Sequence, residues 1–108
     1  MIYEYRMYEA MPGKLPDLNA RFRNHTLKLF EKHGMTNVGY WTANVGDYSN
    51  RLIYILGFED VAQRESAWNG FRNDPEWQAI AAESEANGPL VARVFNTLLN
   101  PTDYSPLQ

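Results

Sequence analysis

Glu4 and Arg6 stand two residues apart in the opening run Tyr3-Glu4-Tyr5-Arg6-Met7-Tyr8. On an extended chain that spacing puts a carboxylate, a guanidinium and the Tyr8 phenol on one side, about 7 Å between successive groups. Such a cluster can hold a carboxylate or phosphate group, and it can equally serve as an ion pair that sets the register of two packed sheets. Arg93 joins it if its own strand has the matching phase. His25 is the second chemically active group. It recurs with Leu15, Leu18, Phe22 and Leu29 at spacings of three and four, which predicts a buried helical stripe containing an imidazole. A histidine so placed can shuttle a proton, contact a substrate or ligate an iron; a hydrogen-bonded core histidine is the competing reading. His33, beside Gly34 at the end of the same helix, reads as a structural cation suited to the helix C-terminus.

Trp41, with Tyr3, Tyr5, Trp68 and Trp77, offers walls for an aromatic or lipid-like ligand, although aromatics at these periodicities also build cores. The ligand-binding candidates are therefore Glu4, Arg6, Tyr8, Trp41 and Arg93, and His25 is the best catalytic candidate. His25 and His33 are eight residues apart and no carboxylate completes a three-ligand set, so no metal site is expected. Phosphate-binding glycine loops, a nucleophile elbow and CxxC pairs are absent. With no cysteine the chain has no disulfide, thiolate nucleophile or iron–sulfur ligand. No cofactor is expected from spacing; haem alone stays open.

These residues need elements to position them. The chain has 108 residues, 44% of them hydrophobic, the length and composition of one domain with its own core. Alternation over residues 2 to 9 predicts a strand. Met11-Pro12-Gly13 ends it, and a helix is expected over about residues 14 to 33, with Pro16 in its first turn and Gly34 closing its last. Strands follow at about 37–44 and 51–59, joined by the turn-rich Val45-Gly46-Asp47-Tyr48-Ser49-Asn50, with the second the most apolar and so central. Asp60 with Gln63, and Asp74 with Pro75, predict two capped helices, the first turning Trp68 and Phe71 inward and the second Trp77, Ile80, Ala81 and Ser84. Val91 to Leu99 alternates as a last strand, and Tyr104, Pro106 and Leu107 suggest a tail that folds back.

The order β-α-β-β-α-β is that of a ferredoxin-like α+β fold, a four-stranded antiparallel sheet with helices on one face. The other face is left bare. If Tyr3, Tyr5 and Met7 face the helices, then Glu4, Arg6 and Tyr8 occupy that bare face, together with apolar residues of the neighbouring strands. An apolar patch of that size calls for a partner, and a homodimer is expected.

The segments also resemble a known family. Tyr3-Glu4-Tyr5-Arg6-Met7-Tyr8 followed by Pro12-Gly13 resembles the Tyr-Glu-Leu-Arg-x-Tyr and Pro-Gly opening of the NIPSNAP family, of the dimeric α+β barrel superfamily. Phe22-Arg23, His25, Leu29, His33-Gly34, Val38-Gly39-Tyr40-Trp41, Asp60-Val61-Ala62-Gln63-Arg64, Pro89-Leu90-Val91 and Ser105-Pro106-Leu107-Gln108 continue the likeness over essentially the whole chain. Ile55-Leu56 departs from the Leu-Trp of many members, and Phe95-Asn96-Thr97 from a common Glu-Ser-Arg or Glu-Asn-Arg. The resemblance implies two sheets packed face to face across a two-fold axis. It implies no agreed chemistry, because relatives include oxygenases that need no cofactor, haem-binding enzymes and proteins without a known reaction.

The expected function is accordingly a small-molecule-binding homodimer with a pocket between helices and sheet near His25; a cofactor-independent oxygenase, a haem-binding enzyme and a protein-interaction scaffold are the alternatives. Thirteen acidic residues against ten basic, net −3, argue against nucleic acid, and 51–58 lacks the internal glycines and aromatics of an RNA-binding sheet. The longest apolar run is strand length, so no membrane partner is expected. Absence of a signal-like start makes the cytoplasm the expected compartment.

Overall fold

The computed structural model describes residues 1–46 and 48–108. The elements are β1 (Ile2–Ala10), a helical arm made of α1 (Leu15–Arg21), a π-helical turn (Phe22–Thr26) and α2 (Leu27–Lys32), then β2 (Thr36–Thr42), β3 (Arg51–Phe58), α3 (Val61–Arg72), α4 (Pro75–Ser84) and β4 (Val91–Leu99). All strand pairs are antiparallel in the order β2-β3-β1-β4. The apolar β3 is central, as its composition predicted. Of the expected β2–β3 turn, Asp47 lies outside the described residues.

The local chemistry of each boundary is visible. Gly34, at φ +84°, closes the arm: its N–H donates to Glu31 O at 3.0 Å and that of Met35 reaches back to Phe30 O at 3.0 Å, which caps two carbonyls the helix cannot pair itself. Asp60 accepts from Gln63 N at 2.8 Å, and the Gln63 side chain accepts from Glu59 N at 3.1 Å. Asp74 accepts from Glu76 N at 2.9 Å with Pro75 opening α4.

The arm and α3 cover one face of the sheet over β3 and its neighbours. Leu18, Phe22, Leu29 and Phe30 from the arm and Ala67, Trp68 and Phe71 from α3 close on Tyr54, Leu56 and Phe58. Phe30 and Tyr54 stack at 28° with centroids 6.1 Å apart, and Phe71 packs 4.9 Å from Phe30. The second capped helix, α4, is looser. Trp77 and Ile80 only half-bury against this core and no α4 residue is buried.

The π-turn alters which side chains reach the core. A regular helix would return residue 25 to the face of Leu18 after two turns, but the wider turn at Phe22–Thr26 absorbs one additional residue. The buried stripe therefore runs Leu18, Phe22, Thr26, Leu29, Phe30, and Thr26 Oγ1 donates to Arg21 O at 3.3 Å. His25 is exposed, against the expectation of a buried stripe histidine.

The two faces of the sheet are the reverse of the expectation for β1. Glu4, Arg6 and Tyr8 face the helices, while Tyr3, Tyr5 and Met7 face the open side. The physical reason is partners: the polar set meets Arg64 and Trp68 of α3, Tyr54 of β3 and Asn96 of β4, which satisfy it inside the fold. On the open side the register lines up Trp41, Ile53, Met7 and Phe95 in a row across all four strands. Trp41 is 51% and Phe95 46% exposed. The tail reaches the other end of that face, where Tyr3 Oη donates to Gln108 O at 2.7 Å and Leu107 and Pro101 line a cleft together with Ile55 and Leu99. Among the described residues no helix is long and apolar enough to cross a membrane.

Candidate functional site

Three of the residues singled out from sequence meet on the helix-facing side of β1. Glu4 is fully buried and accepts five hydrogen bonds: Arg64 Nε (2.9 Å) and Trp68 Nε1 (2.9 Å) on Oε1, and Arg6 Nη1, Arg64 Nη2 and Asn96 Nδ2 (each 3.0 Å) on Oε2. Burial alone would favour the neutral acid. The bonds from Arg64, Asn96 and Trp68 and the charge of Arg6 outweigh it and lower the carboxyl to about 2. A carboxylate so saturated is no general base. Its work is to fix two guanidinium groups.

Arg6 is held on several sides. Nε donates to Tyr54 Oη at 2.8 Å, Nη1 to Glu4, and Nη2 to Tyr8 Oη at 3.3 Å, while the Trp68 ring lies 4.5 Å from the guanidinium carbon. Burial works against its charge, but the oxygens of Tyr54, Tyr8 and Glu4 around it raise its pKa, so it stays protonated. Tyr54 is completely buried and, for that reason first, its hydroxyl is pushed well above its ordinary value. Tyr54 Oη donates onward to Tyr8 Oη at 3.0 Å.

β4 is the exposed flank of this cluster. Asn96 pairs across the ladder with Arg6, Leu98 with Glu4 and Val94 with Tyr8. No helix packs over β4: Val94 is 48% and Leu98 42% exposed, and Asn96 is exposed as well. The result is a shelf with an apolar floor of Val94 and Leu98 and a cationic, hydrogen-bond-donating back wall of Arg6, Tyr8 and Asn96.

The remaining sequence candidates lie elsewhere. Trp41 is on the opposite face of the sheet, in the exposed row. Arg93 pairs with Glu9, Nε to Oε2 at 2.6 Å, on that open face too, because its position is odd-phased relative to Asn96. His25 lines a groove of about 290 Å³ between the helical arm and α4, with Arg21, Ile80 and Ser84 among its walls. The pocket near His25 therefore lies between helices, not between helices and sheet. His33 is structural: its Nε2 is 2.7 Å from Asp74 Oδ2, which also accepts from Lys32 Nζ at 2.8 Å, tying the end of the arm to the start of α4. Neither histidine reaches the shelf, so a haem ligated by imidazole does not fit there. Among the described residues no cluster of histidine and carboxylate groups could hold a metal ion.

Sequence reasoning missed Tyr54, Arg64 and Asn96. Asn96 keeps the middle residue of the Glu-Asn-Arg pattern, and the departures lie at its neighbours Phe95 and Thr97.

Comparison with known proteins places this geometry in context. The sequence model of the NIPSNAP family matches residues 3–106. The chain is similar to mouse NipSnap homolog 3B, 32% identical over 76 residues, which is 70% of this chain and 30% of that protein. It thus spans about a third of the length of the curated relatives it matches. Among solved structures it is similar to a NIPSNAP family protein from Agrobacterium tumefaciens, with a TM-score of 0.86, 26% identity and 99% and 98% of the two chains covered. A more distant likeness in fold is to SnoaB, a cofactor-independent oxygenase from Streptomyces nogalater, with a TM-score of 0.64, 15% identity and coverage of 97% and 96%.

Proposed function

The chain belongs to the NIPSNAP family, and from that footing we propose that it works as a homodimer that binds a small organic molecule, one on the shelf over β1 and β4 of each subunit. The observation that carries the ligand reading is the largely buried Arg6, its side chain 12% exposed, fixed by Glu4, Tyr54, Tyr8 and Trp68 beside a strand face that no helix covers. Holding a desolvated cation rigidly costs free energy that packing alone does not demand, and it suits a site that orients a ligand. The dimer reading is supported by the row Trp41–Ile53–Met7–Phe95 on the open face, a contiguous apolar surface matching the expected two-fold packing.

The test is native mass spectrometry of the purified protein combined with a thermal-shift screen of a small-molecule library. A retained compound or a stabilising hit that disappears in Arg6→Met supports the reading. Neither retained compound nor hit on the wild type overturns it.

A second reading adds turnover. The fold likeness to the cofactor-independent oxygenase favours it, although a shared fold is compatible with many chemistries. Oxygen uptake measured with each hit from the screen decides this; no uptake with any hit leaves binding as the function.

A further inference from the structure

The hydrogen-bond inventory around Arg6 is unbalanced. Among the described residues Glu4 is the only carboxylate at its centre, and it already accepts five bonds, more than the roughly four lone-pair sites of a carboxylate supply one to one. The donors are not used up. Arg6 has five N–H groups and spends three, on Tyr54, Glu4 and Tyr8, so each Nη keeps one proton that no described residue accepts. The two phenols leave one more. Tyr54 accepts from Arg6 Nε and gives its proton to Tyr8, which also accepts from Arg6 Nη2, so the Tyr8 proton has no described protein acceptor. Arg6 and Arg64 share the charge of Glu4, and the second carboxylate, Glu65, pairs with Arg64 at the surface.

The surplus points one way. Tyr54 closes the β3 side of Arg6, Trp68 lies over it, and Glu4 and Tyr8 flank it along β1. The unblocked side is β4, where Asn96 adds a second amide proton and the floor is Val94 and Leu98.

We propose that the shelf is an oxyanion site: Arg6 and Tyr8 grip one negatively charged oxygen group, carboxylate or phenolate, of a flat and otherwise apolar molecule whose body lies on Val94 and Leu98. This rests on the ligand-binding reading above and names its substrate class. The Arg6–oxygen contact is charge-assisted, and the Tyr8 proton adds direction, because only an acceptor in line with its O–H completes both bonds. A neutral ligand of the same shape would leave the buried donors unpaired, which is the larger penalty in such sites.

The experiment compares matched probes by calorimetry: 2-naphthoate against 2-naphthamide, and 4-nitrophenolate at pH 8.5 against 4-nitroanisole. The anions are expected to bind at least about tenfold more tightly than their neutral partners. Tyr8→Phe, which keeps the ring and its packing on Phe22 and Tyr54, is expected to lose several-fold of the anion affinity and none of the neutral affinity. Arg6→Lys, which keeps the charge but not the fork, is expected to weaken the anions further. Equal binding within each pair, or a Tyr8→Phe variant that binds both anions as the wild type does, overturns the oxyanion assignment while leaving a ligand site intact. No binding of any probe, together with a library screen without hits, overturns the ligand reading itself.

Discussion

Replacing Glu4 by glutamine is the sharpest perturbation of this fold. The side chain keeps its shape and loses its charge. Holding the carboxyl at about 2 rather than at its ordinary 4.5 corresponds to about 3 kcal/mol of stability at neutral pH. The amide must also turn an NH₂ toward donors on at least one side, with Arg6 and Arg64 left without their shared counter-charge. Breaking a buried ion pair in this way typically costs about 3–5 kcal/mol, a large share of the 5–15 kcal/mol typical of a domain. Because the folded-state pKa of Glu4 is depressed, its contribution is present in full above about pH 5 and is lost as the pH falls toward 2. The wild type, once protonated, resembles the variant. Urea unfolding followed by far-ultraviolet circular dichroism at pH 7, 5, 4 and 3, at one fixed protein concentration, should show a gap of about 3–5 kcal/mol that narrows steadily below pH 5. A gap below about 1 kcal/mol at pH 7, or one that stays constant to pH 3, would refute the account of Glu4 as the ionised centre of the network.

Other outcomes follow from the same geometry. Trp41→Glu sits in the exposed apolar row, so light scattering should read twice the chain mass for the wild type and the chain mass for the variant at micromolar concentration; a monomeric wild type defeats the dimer. His25→Ala, at an exposed position on the groove between the arm and α4, should change unfolding free energy by no more than about 0.5 kcal/mol and leave binding of 2-naphthoate untouched. Asp74→Ala removes the cap of α4 and the acceptor for Lys32 and His33, and a thermal melt should fall by several degrees, whereas Asp74→Asn keeps the cap and falls less.

The order of elements was readable because each boundary carries its own local chemistry, as Gly34, Asp60 with Gln63, and Asp74 with Pro75 show. The site was readable only in part. Alternation in β1 separates Tyr3, Tyr5 and Met7 from Glu4, Arg6 and Tyr8 without saying which set goes inside, and hydrophobicity favours the wrong one. What reverses it is a set of partners far away in sequence, Tyr54, Arg64, Trp68 and Asn96, that become neighbours only once the sheet and α3 assemble. Arg93 does not join Arg6 because its phase differs by a single step, since Asn96 and not its odd-phased neighbours on β4 points toward Arg6. The expected burial of His25 was overturned for a different reason. Helical periodicity presumes a constant turn, and the π-turn breaks that premise within the arm.

That wide turn also makes the arm unusual as evolutionary material. In an ordinary buried helix, losing one residue rotates everything beyond it by about 100° and drives polar groups into the core. Here a one-residue deletion within 22–26 would contract the turn to regular α-helix while Leu18 on one side and Leu29 and Phe30 on the other kept their places against the sheet. The arm is therefore the one helical stretch of the described chain where length can change without exchanging core for surface, and an alignment across it needs its gap inside a helix rather than in a loop.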